Sequence, residues 1–281
     1  MNNRLIGFLT VVTLYTGFFG SLQAAGSVMV TPTRIVFGQS DRSAQVTLVN
    51  QSDQTSNFRI SFIRQNMTEN GDFLPVREDE AGMFSDPMIR FSPRQVNLSP
   101  GQAQVIRLAL RKPRDLANGE YRSHMLFQML PESSGSNVEK ITRQSAAGIS
   151  VELTPIIGVS IPVIVRQGDL QTAVTLTNAK IEVSDKADDN PRISVSINRT
   201  GNGSAYGDLK ATFTSDGKLP VVIAQANKIA VYANMQSRRF EMPLNLASDA
   251  NLQNGAIDLV FLKSAADDES AILARTRIIL K

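Results

Sequence analysis

The 281-residue chain contains no cysteine and a single histidine. The first absence removes disulfides, so stability has to come from packing alone. The two together leave nothing from which to build a zinc site or a His-based catalytic triad. A phosphate-binding P-loop and a G-x-S-x-G elbow are also absent. Lysine and arginine are spread along the chain without the basic tract that marks nucleic-acid binding, although the sequence pI is near 9.3. Beyond the first residues no segment has the roughly 20 uninterrupted apolar residues a membrane span needs.

The sequence does have a leader. Residues 1–25 read as a signal peptide, with Arg4 as the positive n-region, an apolar stretch from Leu5 to Phe19, and Ala24–Ala25 at the cleavage site. The mature chain is therefore expected to be exported and soluble. With 42% hydrophobic and 20% charged residues it has enough apolar material for two domains with real cores.

Short alternating runs dominate the rest of the chain. Strands are predicted over 28–38, 43–50, 57–65, 88–98, 103–111 and 120–130, punctuated by Pro-Gly and Asn-Gly turns. Residues 66–85 and 131–148 read as polar loops. A hinge is expected at Gln167-Gly168. Beyond it lie further strands, at about 170–184, 192–200, 207–215, 219–226, 228–234, 238–245, 256–263 and 271–280. The expected fold is all-β, with two tandem immunoglobulin-like β-sandwiches. The domains expected are 26–166 and 167–281, with a cleft between them.

The stretch 149–166, ISVELTPIIGVSIPVIVR, stands out. Ile149, Val151, Leu153, Ile157, Val159, Ile161, Val163 and Val165 share one face of a strand. Pro155 and Pro162 mark it as an edge or bulged strand, because proline cannot donate to a ladder. A long apolar strand of this kind either closes its own core or completes the sheet of another protein. Arg34, a charge within the first strand, either faces solvent or holds its planar fork in the cleft, where it would suit a carboxylate. His124 is read as structural. Gly201, Gly203 and Gly207 resemble a dinucleotide fingerprint only loosely and precede strand-like residues, so they read as a hairpin loop. The acidic run 185–189 lacks the ordered alternation of a calcium loop.

The ordered set TPTRIVF, SAQVTLVNQS, the Pro-Gly turn with IRL, GEYRS and PVIVRQG resembles the periplasmic pilus chaperones of the bacterial chaperone–usher pathway, as a divergent subclass without cysteine. The resemblance covers residues 28–168. It implies a periplasmic, non-enzymatic protein without cofactor or metal. Such a protein binds pilus or fimbrial subunits by donor-strand complementation and delivers them to an outer-membrane usher. The donor strand would present Ile149, Val151, Leu153 and Ile157. Arg34 falls on the position of an arginine that anchors the subunit's C-terminal carboxylate. The accompanying lysine position falls at Pro162, so either Arg34 works alone or Arg166 substitutes. Arg107 and Glu120 fall where the family carries buried charges that fix the two domains. The rival reading is a pilus structural subunit or surface adhesin.

Overall fold

The computed structural model describes residues 28–77, 79–130, 143–144, 150–151, 158–183, 190–215, 217–246, 252, 254–264 and 272–280. The leader, the acidic run 185–189 and donor-strand positions Ile149, Leu153 and Ile157 lie outside them. The strands, in chain order, begin with β1 (Val28–Thr31), β2 (Ile35–Phe37), β3 (Ser43–Asn50), β4 (Ser56–Ile63), β5 (Gln65–Met67) and β6 (Phe73–Pro75). After a 3₁₀ turn come β7 (Ile89–Ser92), β8 (Gln95–Leu98), β9 (Ala103–Leu110), β10 (Gly119–Leu130), β11 (Arg143–Gln144), β12 (Ser150–Val151) and β13 (Gly158–Gln167). The remainder are β14 (Thr172–Glu182), β15 (Arg192–Gly201), β16 (Ala205–Ser215), β17 (Val221–Val231), β18 (Ser237–Pro243), β19 (Gly255–Lys263) and β20 (Ile272–Leu280).

Two sheets, ordered β1-β3-β9-β7 and β2-β13-β10-β4-β8, enclose the first core. Period-two alternation delivers it: Val46 and Leu48, Ile106 and Leu108, Phe58 and Ile60, Met125 and Phe127, and Val163 and Val165 are all buried together. Burying each of these large side chains stabilises the sandwich by about 1.5–3 kcal/mol. A second pair of sheets, β14-β15-β18 and β17-β16-β19-β20, encloses a separate core around Ile197, Leu209, Leu259 and Phe261. The architecture is all-β, two sandwiches in tandem. No helix among the described residues is long and apolar enough to cross a membrane.

Several elements differ from the expected ones, for local reasons. The single strand expected over 28–38 is two strands in opposite sheets, divided at Pro32, and 88–98 divides likewise at Pro93. A proline without an N–H interrupts a ladder and lets the chain change sheets. The segments 219–226 and 228–234 form one strand, β17, that accommodates Lys228 at a φ of 61° instead of ending there. The region expected as a loop over 66–85 contains the β5–β6 hairpin. Gly201 and Gly203 stand in the tight connection between β15 and β16. A side chain on Gly201, which has a φ of 97°, would meet the backbone carbonyl of Gln171.

The long strand is also different. β13 is the second strand of its sheet, paired along its length with β10 and, only over Val163–Val165, in parallel with β2. β12 pairs separately with β11. Over residues 158–162 the outer edge of β13 carries no partner strand among the described residues.

Candidate interdomain site

Alternation along β10 sets up the site. Tyr121, Ser123, Met125 and Phe127 point to one face, of which Met125 and Phe127 are in the core. Glu120, Arg122 and His124 share the other face, and all three are buried. Their cross-strand partners on β13 are Arg166, Ile164 and Pro162. This outer face of the first sandwich is covered by the second. Ile164, fully buried, packs with Met67, Ala230 and Tyr232 in a small apolar cluster between the two.

Glu120 lies at the centre of the charges. Its Oε2 is 3.1 Å from Arg166 Nε and accepts the backbone N–H of Ser204, from the second sandwich, at 3.4 Å. Its side chain is 1% exposed, against 39% for Arg166. Arg34, in the link between β1 and β2, reaches across to Ser204 Oγ at 3.5 Å and lies 4.3 Å above the Tyr206 ring. Its Nη1 is buried without a hydrogen-bond partner. Burial lowers the Arg34 pKa, the Arg166 charge lowers it further, and Tyr232, Glu120 and Tyr206 oppose the shift. Arg122 places its guanidinium carbon 3.6 Å from the Tyr232 ring centroid and donates from Nη2 to the Gln65 carbonyl at 3.0 Å. Its Nε and Nη1 have no acceptor. Burial pushes its pKa down to about 10, the Arg34 charge acts in the same direction, and Tyr232 and Glu120 act against it.

His124 is a structural residue in this setting. Its ring meets Phe73 edge-on at 5.0 Å, and neither nitrogen has a partner. Burial, then the Arg122 and Arg34 charges, pushes its pKa down to about 3, so it stays neutral near pH 7. Glu120, Arg122, Met83, Phe84 and the Tyr232–Asn234 segment line a cavity of about 220 Å³ at this junction.

The two sandwiches are tied together on both sides of these charges. On one side Gln39 Nε2 donates to the Gly168 carbonyl at the hinge at 3.1 Å, while Lys112 Nζ, donating to the Arg166 carbonyl at 2.6 Å, holds the end of β13 within the first sandwich. On the other, the β5–β6 hairpin reaches the second sandwich. Asn234 Nδ2 donates to Asn66 Oδ1 at 2.9 Å, and the Arg239 N–H to the Glu69 carbonyl at 2.7 Å. Arg199, from β15, is buried and donates to the carbonyls of Gly201, Gly203, Ala233 and Met235, which holds the loops facing Glu120.

The structure thus brings Arg34, Glu120 and Arg166 to one place and leaves Arg107 elsewhere. Arg107 is exposed on β9, between the buried Ile106 and Leu108, and the same alternation that buries those two turns it to solvent. The expected Arg107–Glu120 association is corrected: the cation beside Glu120 is Arg166, directly across the ladder. Arg166 is accordingly engaged by Glu120 through Nε. Of the donor-strand positions only Val151 falls in a described strand, and there it pairs with Arg143. Arg122, Ser204, Tyr206 and Tyr232 were not anticipated. The signal for Arg122 was the run of polar residues at alternate positions in EYRSH. It implies a strand face that meets something other than an apolar core.

No family model and no curated protein matches the chain. Solved structures do. The chain is similar to the CupB2 chaperone of Pseudomonas aeruginosa at 10% identity and a TM-score of 0.41, over 89% of this chain and 98% of that one. It is similar to the Escherichia coli chaperone DraB at 13% identity and a TM-score of 0.41, over 91% and 97%. The third is a Salmonella enterica complex of SafA pilin with the SafB chaperone, at 13% identity and a TM-score of 0.41, over 90% and 96%.

Proposed function

We propose that the chain is a periplasmic chaperone that captures pilus or fimbrial subunits by donor-strand complementation and passes them to an outer-membrane usher. It acts by binding and carries out no reaction. The observation that carries this reading is the outer edge of β13 over Gly158–Pro162. It is unpaired among the described residues and ends where β2 begins, immediately after Arg34. An extended segment laid along that edge gains main-chain hydrogen bonds, and alternate apolar side chains give it specificity. If its C-terminus points toward β2, its carboxylate arrives at the Arg34 guanidinium, whose Nη1 has no partner. Val151, Leu153 and Ile157, with Ile149, are the donors proposed for the subunit's groove.

Expression of the full chain with its leader, then co-purification from the periplasm and mass spectrometry of what is retained, tests the reading. Recovery of immunoglobulin-like subunits lacking their last strand is the expected result. A chain recovered alone while such subunits are produced beside it would overturn the reading.

A further inference from the structure

The β5–β6 hairpin, a branch of the first sandwich, is gripped along its whole length. At its base the Gln65 carbonyl accepts Arg122 Nη2 at 3.0 Å, and Asn66 Oδ1 accepts Asn234 Nδ2 at 2.9 Å. Met67 is buried with Ile164, Ala230 and Tyr232. The Tyr232 ring, from the second sandwich, meets the Arg122 guanidinium carbon at 3.6 Å and the Phe73 ring at 6.3 Å, centroid to centroid. At the tip the Glu69 carbonyl accepts the Arg239 N–H at 2.7 Å. Arg239 lies on β18, the outer strand of its sheet, so the tip also covers part of an open edge. Gly71 makes the close approach possible. Its φ is 92°, and a Cβ there would come within 2.6 Å of the Arg238 guanidinium, whose Nη1 is held by the Ala230 carbonyl at 2.9 Å. By comparison, the Glu120–Ser204 and Arg34–Ser204 hydrogen bonds across the same junction are longer, at 3.4 and 3.5 Å.

We propose that the β5–β6 hairpin is a strap that sets the angle between the two sandwiches, which without it swing about Gln167–Gly168. Domains joined by a short link move relative to each other unless a substantial interface holds them, and here one hairpin carries much of that interface. The strap acts from one side. It follows β4, whereas β13 flanks β10 on the other side, where its open edge and Arg34 lie. Bracing the β4 side fixes the second sandwich while leaving the β13 side accessible. On the chaperone reading, that is the side from which a subunit enters a junction already held at its working angle.

The test uses the full mature chain, which has no cysteine of its own. Gln45→Cys on β3 and Thr175→Cys on β14, both at exposed positions, carry spin labels, and double electron–electron resonance reads the distances between the sandwiches. In one variant Gly-Gly replaces residues 68–72; Met67 and Phe73 are register partners, so a two-residue turn can join them. In a second, Gly71→Val puts a β-branched side chain at a positive φ and beneath Arg238. Gln39→Ala, which removes the bond to Gly168 at the hinge, is the control. The distance distribution should widen about twofold or more in the shortened chain and in Gly71→Val, and stay narrow in Gln39→Ala. Calorimetry checks that both sandwiches remain folded, and Gly71→Val decides alone if the shortened chain does not fold. An unchanged width in the folded hairpin variants, or equal widening in Gln39→Ala, would overturn the strap. None of these readings requires a subunit. Widening in a chain that never retains a subunit leaves the strap standing and the chaperone reading lost, while retention with an unchanged width overturns the strap alone.

Discussion

Arg166 Nε stands 3.1 Å from Glu120 Oε2, and the two residues are register partners on adjacent antiparallel strands. The pair sits where the first sandwich meets the second, and Glu120 Oε2 also accepts the Ser204 N–H. Removing the cation leaves a carboxylate of 1% exposure with one long hydrogen bond. Breaking a fully buried pair costs about 3–5 kcal/mol. Arg166 is partly exposed and water can take its place, so Arg166→Ala should cost about 2–3 kcal/mol. Glu120→Gln, which keeps an acceptor for Ser204, should cost less. Urea unfolding with an unchanged m-value measures both.

A second prediction concerns acid. His124 has a folded pKa of about 3, against about 6.5 in an unfolded chain. Below the unfolded value the unfolded chain binds a proton that the folded one refuses. The contribution of a neutral His124 is therefore complete above pH 6.5 and is lost as pH falls from there toward 3. Each pH unit in that window is worth up to about 1.4 kcal/mol, so stability should drop by about 2 kcal/mol between about pH 7.5 and 5. His124→Gln should remove most of that drop. Urea midpoints of both proteins at the two pH values provide the check, and an equal drop in the variant would show that other groups are responsible.

How far the sequence could be read depended on which force shaped each part. The sandwich strands were legible because alternation is local: Val46 and Leu48 or Met125 and Phe127 declare their face by spacing alone. The changes of sheet at Pro32 and Pro93 were not read, since a proline signals a break without saying where the chain goes next. Arg34 and Glu120 could be singled out, one as a charge in an apolar strand and the other through a family resemblance. Arg107 failed because the resemblance outranked the alternation, which already turned that residue outward between Ile106 and Leu108. Tyr206 and Tyr232 were invisible. Their role depends on contacts between segments far apart in the chain, such as Arg34 on Tyr206 and Arg122 on Tyr232.

The donor-strand proposal makes the third prediction. Leu153→Glu or Ile157→Glu should leave the melting temperature of the free chain nearly unchanged and abolish subunit retention. A charge placed in an apolar groove forfeits roughly 1.5–3 kcal/mol of burial per side chain and adds a desolvation penalty. Wild-type retention by either variant would show that the subunit is held by another part of the chain.

Arg34 yields the fourth. Arg34→Ala should weaken subunit binding by about 2–5 kcal/mol, mostly as faster dissociation, because it strands a carboxylate shielded from water. The free protein should lose little stability, since the hydrogen bond Arg34 makes to Ser204 is long, at 3.5 Å. Arg34→Lys should recover part of the affinity. Binding kinetics of the three proteins, with Arg166→Ala beside them, decide the matter. If only Arg166→Ala loses affinity, the anchor belongs to the hinge end of β13.

The most direct measurement is amide hydrogen exchange over β13, in the free mature chain and in its complex with a retained subunit. Donor-strand capture predicts that Gly158–Ile161 exchange at least about tenfold more slowly in the complex, because the open edge acquires a partner strand. Val163–Val165, already flanked by β2 and β10, should change little. Unchanged exchange over Gly158–Ile161 in a stable complex would contradict donor-strand capture, because the subunit would then be bound without using the edge of β13.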